Sequence, residues 1–265
     1  MRFFNLSIKR SNIEKPKEFD ELKRLKKLKR YVPGVSTLIE PQIEYVDANT
    51  LAHGYEEIFL KEFYEFKTNK INPIIIDCGA NIGLASIYFK ETYPNSTVIS
   101  FEPDPEIYKI LQQNIKDRNY QNIELYNCAI YNKSSKVSFQ QEGGFSGRVP
   151  YKSDTKNIIQ VDCIDLNEVL LRYDTIDFLK IDIEGAENEL LPAINKSLSR
   201  VINLFIEYHS HTEEPQKLHE LLKIMQNAGF RYHILEAFTR RKPFVNRNTL
   251  LGMDLQLNIF AYRDE

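Results

Sequence analysis

The stretch that most constrains this chain is Ile74 to Phe89, IIIDCGANIGLASIYF. Three isoleucines run into Asp77, and a short all-apolar run bounded by turn signals is the pattern of a strand buried on both faces. Gly79 and Gly83 follow, then Ile82, Ala85 and Phe89 at helical spacing. Strand, glycine turn and helix in that order open a nucleotide-type α/β fold. A glycine lets a ligand approach the backbone, and the helix start offers unpaired N–H groups there.

The spacing is D-x-G-x-x-x-G. A dinucleotide site needs G-x-G-x-x-G, with its second glycine against the pyrophosphate. Asn81 and Ile82 fill the middle of this turn, so a ligand without phosphates fits better, and S-adenosylmethionine is the common one. The cofactor-contact candidates are Tyr55, Asp77, Gly79, Ala80, Asn81, Gly83, Glu102, Ala129 and Asp182.

Thr97–Phe101 reads as the second buried strand, and Glu102 at its tip is placed to accept hydrogen bonds from both ribose hydroxyls. Pro105–Asp117 reads as a helix and Ile123–Tyr126 as a third strand. Small residues after it, up to Ala129, leave room for an adenine ring. Cys128 reads as a buried small residue. Residues 132–157 read as a polar, turn-rich stretch, either a loop in which Ser146 and Arg148 are candidates for the substrate pocket or a hairpin excursion in which Arg148 pairs with a surface carboxylate.

A second dense motif follows the strand Ile176–Ile181: Asp182-Ile183-Glu184-Gly185-Ala186-Glu187. Strand alternation is expected to put Asp182 and Glu184 on one side at the sheet edge where doubly wound folds bind ligands. The fifth strand, Val201–Ile206, runs into Glu207-Tyr208-His209, and Glu207 and His209 share a side if the chain stays extended. Asp182, Glu184 and His209 are the catalytic candidates. In one version His209 or Asp182 is the general base. In the other Asp182, Glu207 and His209 hold a divalent metal ion. A helix over 215–228 stopped at Gly229, then strands Tyr232–Leu235 and Leu255–Tyr262 in antiparallel pairing, complete the pattern.

Upstream, 17–31 is expected as a helix carrying Phe19, Leu22, Leu25 and Leu28 among basic residues, either packed on the domain or meeting a lipid-linked acceptor. Leu51–Phe66 is expected as another, with Glu57 near the ligand and Tyr55 either beside it or in the core. Residues 1–70 thus form a helical extension or cap, and 71–265 the cofactor-binding domain. A net charge of −2 disfavours nucleic acid as a partner. Three cysteines without a C-x-x-C fit a reducing, cytoplasmic setting. No run approaches the ~20 apolar residues of a membrane span, and the N-terminus lacks a signal-peptide core. A homo-oligomer is left open.

Together IIIDCGANIGLASIYF, SFEPDP, Asn127–Ala129 and FLKIDIEGAENELL resemble the FkbM family of S-adenosylmethionine-dependent methyltransferases. The resemblance implies an α/β, Rossmann-like class I fold with a mostly parallel seven-stranded sheet and the last strand antiparallel. It implies O-methyl transfer to a hydroxyl of a sugar, glycan or natural product, and cofactor contacts at Asp77, Gly79, Asn81, Gly83, Glu102 and Ala129. The rivals from other classes are an NAD-dependent oxidoreductase and a non-catalytic binding module.

Overall fold

The computed structural model describes residues 15–141, 157–237, 242–249 and 251–264. The chain runs α1 (Lys15–Leu25), β1 (Gly34–Ser36), β2 (Ile43–Tyr45), α2 (Ala48–Tyr55), a π-helical turn (Glu56–Leu60), β3 (Ile74–Cys78), α3 (Leu84–Thr92), β4 (Thr97–Phe101), α4 (Pro105–Lys116) and β5 (Ile123–Tyr126). It continues with β6 (Ala129–Tyr131), β7 (Ser135–Gln140), β8 (Ile158–Asp165), α5 (Leu166–Leu170), β9 (Ile176–Ile181), α6 (Glu187–Ile194), β10 (Val201–His211), α7 (Leu218–Asn227), β11 (Arg231–Glu236) and β12 (Met253–Tyr262).

Seven strands form one sheet in the order β11-β12-β10-β9-β3-β4-β5. The pairs β3–β4, β3–β9, β4–β5 and β9–β10 are parallel, and β12 runs antiparallel between β10 and β11. The expected mostly parallel seven-stranded sheet with an antiparallel last strand is therefore present. Side-chain alternation divides the core in two. Ile75, Val98, Phe178 and Phe205 face the residues of α1–α4, including Leu25, Leu51, Phe89 and Leu111. Ile76, Ile99, Leu179 and Ile206 face α5–α7, including Leu166, Leu190 and Leu221.

Caps fix the helices that frame the sheet edge. Asp104 accepts from the Glu106 amide at 2.9 Å with Pro105 in the first turn of α4, and Asp165 accepts from the Asn167 amide at 2.8 Å ahead of α5. Buried Asn114 of α4 donates to the carbonyls of Ile82 and Glu44 and accepts from the Glu44 amide. That side chain ties the β1–β2 hairpin to the glycine turn.

Three expectations change. The helix expected over 17–31 ends at Leu25, because only Leu22 and Leu25 are buried while Phe19 and Leu28 are exposed. Arg24, Lys26 and Arg30 pair with Glu21, Glu56 and Asp47, which leaves less of a bare basic face. The helix expected over 51–66 begins at Ala48, capped by Asp47, and passes into the π-helical turn after Tyr55. The polar stretch read over 132–157 contains β7, which pairs antiparallel with β8. The alternation of Val137 and Phe139 with Lys136, Ser138 and Gln140 carried that signal, but in β7 only Phe139 is fully buried. Ser146 and Arg148 lie outside the described residues.

Candidate active site

A cavity of about 560 Å³ opens at the carboxyl ends of β3, β4, β9 and β10. Its floor is the turn after β3. The amides of Gly79 and Ala80 donate to the Phe101 carbonyl at 3.0 and 2.9 Å, holding the turn against the end of β4. Gly79 adopts φ +85°, and a Cβ there would lie 1.9 Å from the Asp182 carbonyl oxygen. The first glycine is thus required by the crossing of two chain segments as well as by any ligand. Gly79, Ala80, Asn81, Glu102, Ala129 and Asp182 all line the cavity.

Glu102 is buried, with Oε2 accepting from the Asn81 amide and Oε1 from the Asp104 amide, each at 2.9 Å. Burial pushes this carboxyl up to about 8, although the two amides pull the other way. Three candidates from the sequence sit elsewhere. Tyr55 is stacked on Phe59 at 5.0 Å and donates to Glu18, so it belongs to the core, while its neighbours Gly54, Glu57 and Ile58 reach the cavity. Asp77 is fully buried beneath the turn, accepting from the Ser86 hydroxyl at 2.9 Å. Gly83 starts α3 at φ +92° and likewise is not part of the wall.

Lys180, which drew no role from its sequence context, turns out to organise this end of the sheet. Its buried ammonium donates to the Gly79 carbonyl at 2.8 Å and lies 3.1 Å from Asp182 and 3.3 Å from Asp77. Burial alone would lower such an amine, but the two carboxylates outweigh it and hold it charged.

Beyond Ile181 the chain leaves the strand, and Glu184 adopts φ +55° followed by Gly185 at +103°. Strand alternation is therefore not what brings Asp182 and Glu184 together. The loop is shaped by Glu187, whose oxygens accept the amides of Ile183 (3.0 Å) and Gly185 (2.9 Å). Glu187 also lies 3.3 Å from His209 Nδ1, and Glu184 lies 3.5 Å from His209 Nε2. Glu207 and His209 do share one side of β10: donor atoms of Asp182, Glu207 and His209 lie within 4.8 Å of one another.

His209 sits behind the wall, 1% exposed. Burial would lower its pKa, but Glu184, Glu187 and Glu207 raise it well above the usual 6.5. An imidazolium has no lone pair for a proton or a metal. Lys180 already occupies the cation position beside Asp182. The metal version at Asp182, Glu207 and His209 requires a neutral imidazole, and methyl transfer after chelation is the measurement that decides between it and a fixed internal cation. Glu207 faces the cavity and accepts a hydrogen bond from Gln256, and burial together with Asp182 pushes its carboxyl up to about 8.

The sheet order and a cavity over the glycine turn define a class I methyltransferase. The methyltransferase FkbM domain matches residues 77–232, well over half of the chain. The chain belongs to the FkbM family of S-adenosylmethionine-dependent methyltransferases. It is 26% identical over 212 residues to methyltransferase sdnD of Sordaria araneosa, covering 66% of this chain and 80% of that one. It is 22% identical over 225 residues to the 31-O-demethyl-FK506 methyltransferase FkbM of Streptomyces tacrolimicus, covering 71% and 85%. The crystal structure of methyltransferase FkbM from Methylobacillus flagellatus KT shares the fold, with TM-score 0.52 and 16% identity over 94% of this chain. The chain spans 59% of the length of that protein.

Proposed function

We propose that the protein transfers a methyl group to a hydroxyl of a small-molecule acceptor, a sugar, glycan or natural product. In this reading residues 71–265 bind S-adenosylmethionine and residues 1–70 cap the site. Support comes from the relative whose name specifies a 31-O-demethyl substrate. The observation that carries the reading is the meeting of carboxylates from the ends of β9 and β10 in the same cavity as the glycine turn.

The residues present fit this cofactor. Among the described residues lining the cavity, Arg30 and Lys180 are both already paired with carboxylates, which suits a ligand without phosphates. Glu102 would take the ribose hydroxyls, and Gly79–Asn81 and Ala129 would flank the nucleoside. S-adenosylmethionine supplies an electrophilic methyl carbon when bound. The chain holds the acceptor oxygen in line with that carbon and keeps water out. With the cofactor bound, the acceptor oxygen would take the methyl group as the sulfonium becomes a thioether, and a carboxylate of this chain would take the hydroxyl proton. Glu207 is the better base, since a pKa near 8 matches neutral operation, whereas Asp182 is neutralised by Lys180. Glu184 and His209 position that base.

The test is transfer of labelled methyl from S-adenosylmethionine to a panel of hydroxylated small molecules, with Glu207→Gln beside the wild type. Label on an acceptor oxygen, reduced on the order of 10²–10⁴-fold in the variant, is the expected result. Undiminished transfer by Glu207→Gln would remove Glu207 as the base.

A further inference from the structure

Glu57 enters the cavity from outside the region that the family match covers. It sits on the π-helical turn Glu56–Leu60, closed by the Lys61 amide donating to the Glu56 carbonyl at 2.9 Å. Single π-turns are rare and recur at functional sites. This one is anchored by Phe59, stacked on Tyr55 and edge-on to Tyr88 at 5.3 Å. The anchoring turns the neighbouring Glu57 toward the cavity, opposite the sheet edge.

Four carboxylates besides Glu102 thus line one cavity: Glu57, Asp182, Glu184 and Glu207. Two more, Asp77 and Glu187, lie directly behind it. The positive groups beside them are Lys180, shared by Asp77 and Asp182, and His209, shared by Glu184, Glu187 and Glu207, while Arg30 in the same lining is paired with Asp47. Lys61 acts on Glu57 from outside, its ammonium 5.2 Å from the Phe63 ring. Among the described residues, carboxylate outnumbers cation at this end. Among the described residues, positive charge is what this end of the cavity has least of.

We propose that this carboxylate ring, completed by Glu57, selects acceptors that present several hydroxyls or an amine around the reacting oxygen and rejects those bearing phosphate or carboxylate there. The inference rests on the methyl-transfer reading above. Carboxylates accept from hydroxyl and ammonium donors without a rearrangement of the wall. An anion brought into this cavity would meet like charge in a low-dielectric site, where repulsion is strong. Glu57 is the specificity-determining member because it comes from the cap, which the methyl-transfer machinery on β9 and β10 does not include.

The test uses two cofactor analogues and two sugars. S-adenosylhomocysteine is neutral at sulfur, whereas sinefungin carries an amine on the carbon that replaces it. Calorimetry on wild type is expected to show sinefungin bound about tenfold more tightly, a difference of about 1.4 kcal/mol. Glu57→Gln is expected to reduce that preference severalfold while leaving S-adenosylhomocysteine affinity unchanged, which also reports an intact fold. Glucosamine is expected to bind the S-adenosylhomocysteine-saturated protein more tightly than glucuronate. Equal affinities for the two analogues, a preference unchanged in Glu57→Gln, or glucuronate binding as well as glucosamine would overturn the proposal. If neither analogue binds, the methyl-transfer reading itself falls, and this inference with it.

Discussion

Replacing Gly79 by alanine tests how the site is built. The residue sits at φ +85°, where an L side chain costs ~1–2 kcal/mol. Its Cβ would lie 1.9 Å from the Asp182 carbonyl oxygen. Relief requires the end of β9 to move, although Asp182 is tied by its amide to the Cys78 carbonyl at 3.1 Å and by its carboxylate to Lys180. Overpacking of this kind costs ~1–3 kcal/mol more. The expected total is ~2–5 kcal/mol, or roughly 4–20 °C in Tm at ~2–4 °C per kcal/mol. Gly229→Ala is the control, because that glycine has φ +86° and nothing within 4 Å of its Cβ. Both changes reduce unfolded-state entropy alike, so their difference isolates the overlap. Thermal unfolding of the two variants checks this, with S-adenosylhomocysteine affinity measured alongside. A Gly79→Ala protein as stable as Gly229→Ala would refute the close crossing.

The remaining predictions concern charge and burial. Glu207 must be ionised to accept a proton, so kcat/KM is expected to rise with pH through about 8, with the rise absent in Glu207→Gln; a pH–rate profile reads both. The same raised pKa makes the folded state bind an extra proton between the ordinary carboxylate range and about 8. The cofactor-free protein therefore loses stability from this group as pH rises across that window, and unfolding midpoints of Glu207→Gln are expected to lack that loss. Methyl transfer after exhaustive chelation is expected to persist unchanged; its abolition, with recovery on adding a divalent ion, would favour the metal version at Asp182, Glu207 and His209. Tyr55→Phe removes a hydrogen bond to Glu18 and is expected to cost ~0.5–1.5 kcal/mol in unfolding free energy with cofactor affinity unchanged.

Much of the fold was legible because its central strands carry strong local signals. Ile74–Cys78, Thr97–Phe101 and Ile176–Ile181 are apolar runs ended by an acidic residue or a glycine turn, and buried parallel strands leave few alternatives. The candidate site was legible where residues follow the expected strand ends, as with Glu102 after Phe101 and Glu207 after Ile206, although β10 itself runs on to His211. It was not legible where tertiary packing decides. Asp77 faces down to Ser86 and Lys180, which spacing cannot distinguish from facing a ligand. His209 reads in isolation as a base, but three surrounding glutamates from two segments make it a fixed cation. Lys180 reads as an ordinary charged residue within a strand, and only the convergence of Asp77, Asp182 and the Gly79 carbonyl gives it a partner set. The π-helical turn is invisible to a 3.6-residue period, so the sequence did not tell that Glu57 reaches the cavity while Tyr55 packs into the core.

The most direct measurement is calorimetric titration of the wild type and Glu102→Ala with S-adenosylhomocysteine and with NAD. The account predicts binding of the sulfur nucleoside, no detectable binding of NAD, and an affinity loss in Glu102→Ala of about 5–150-fold, since two ribose hydrogen bonds contribute ~0.5–1.5 kcal/mol each. Preference for NAD, or full affinity for the sulfur nucleoside without the Glu102 carboxyl, would contradict it.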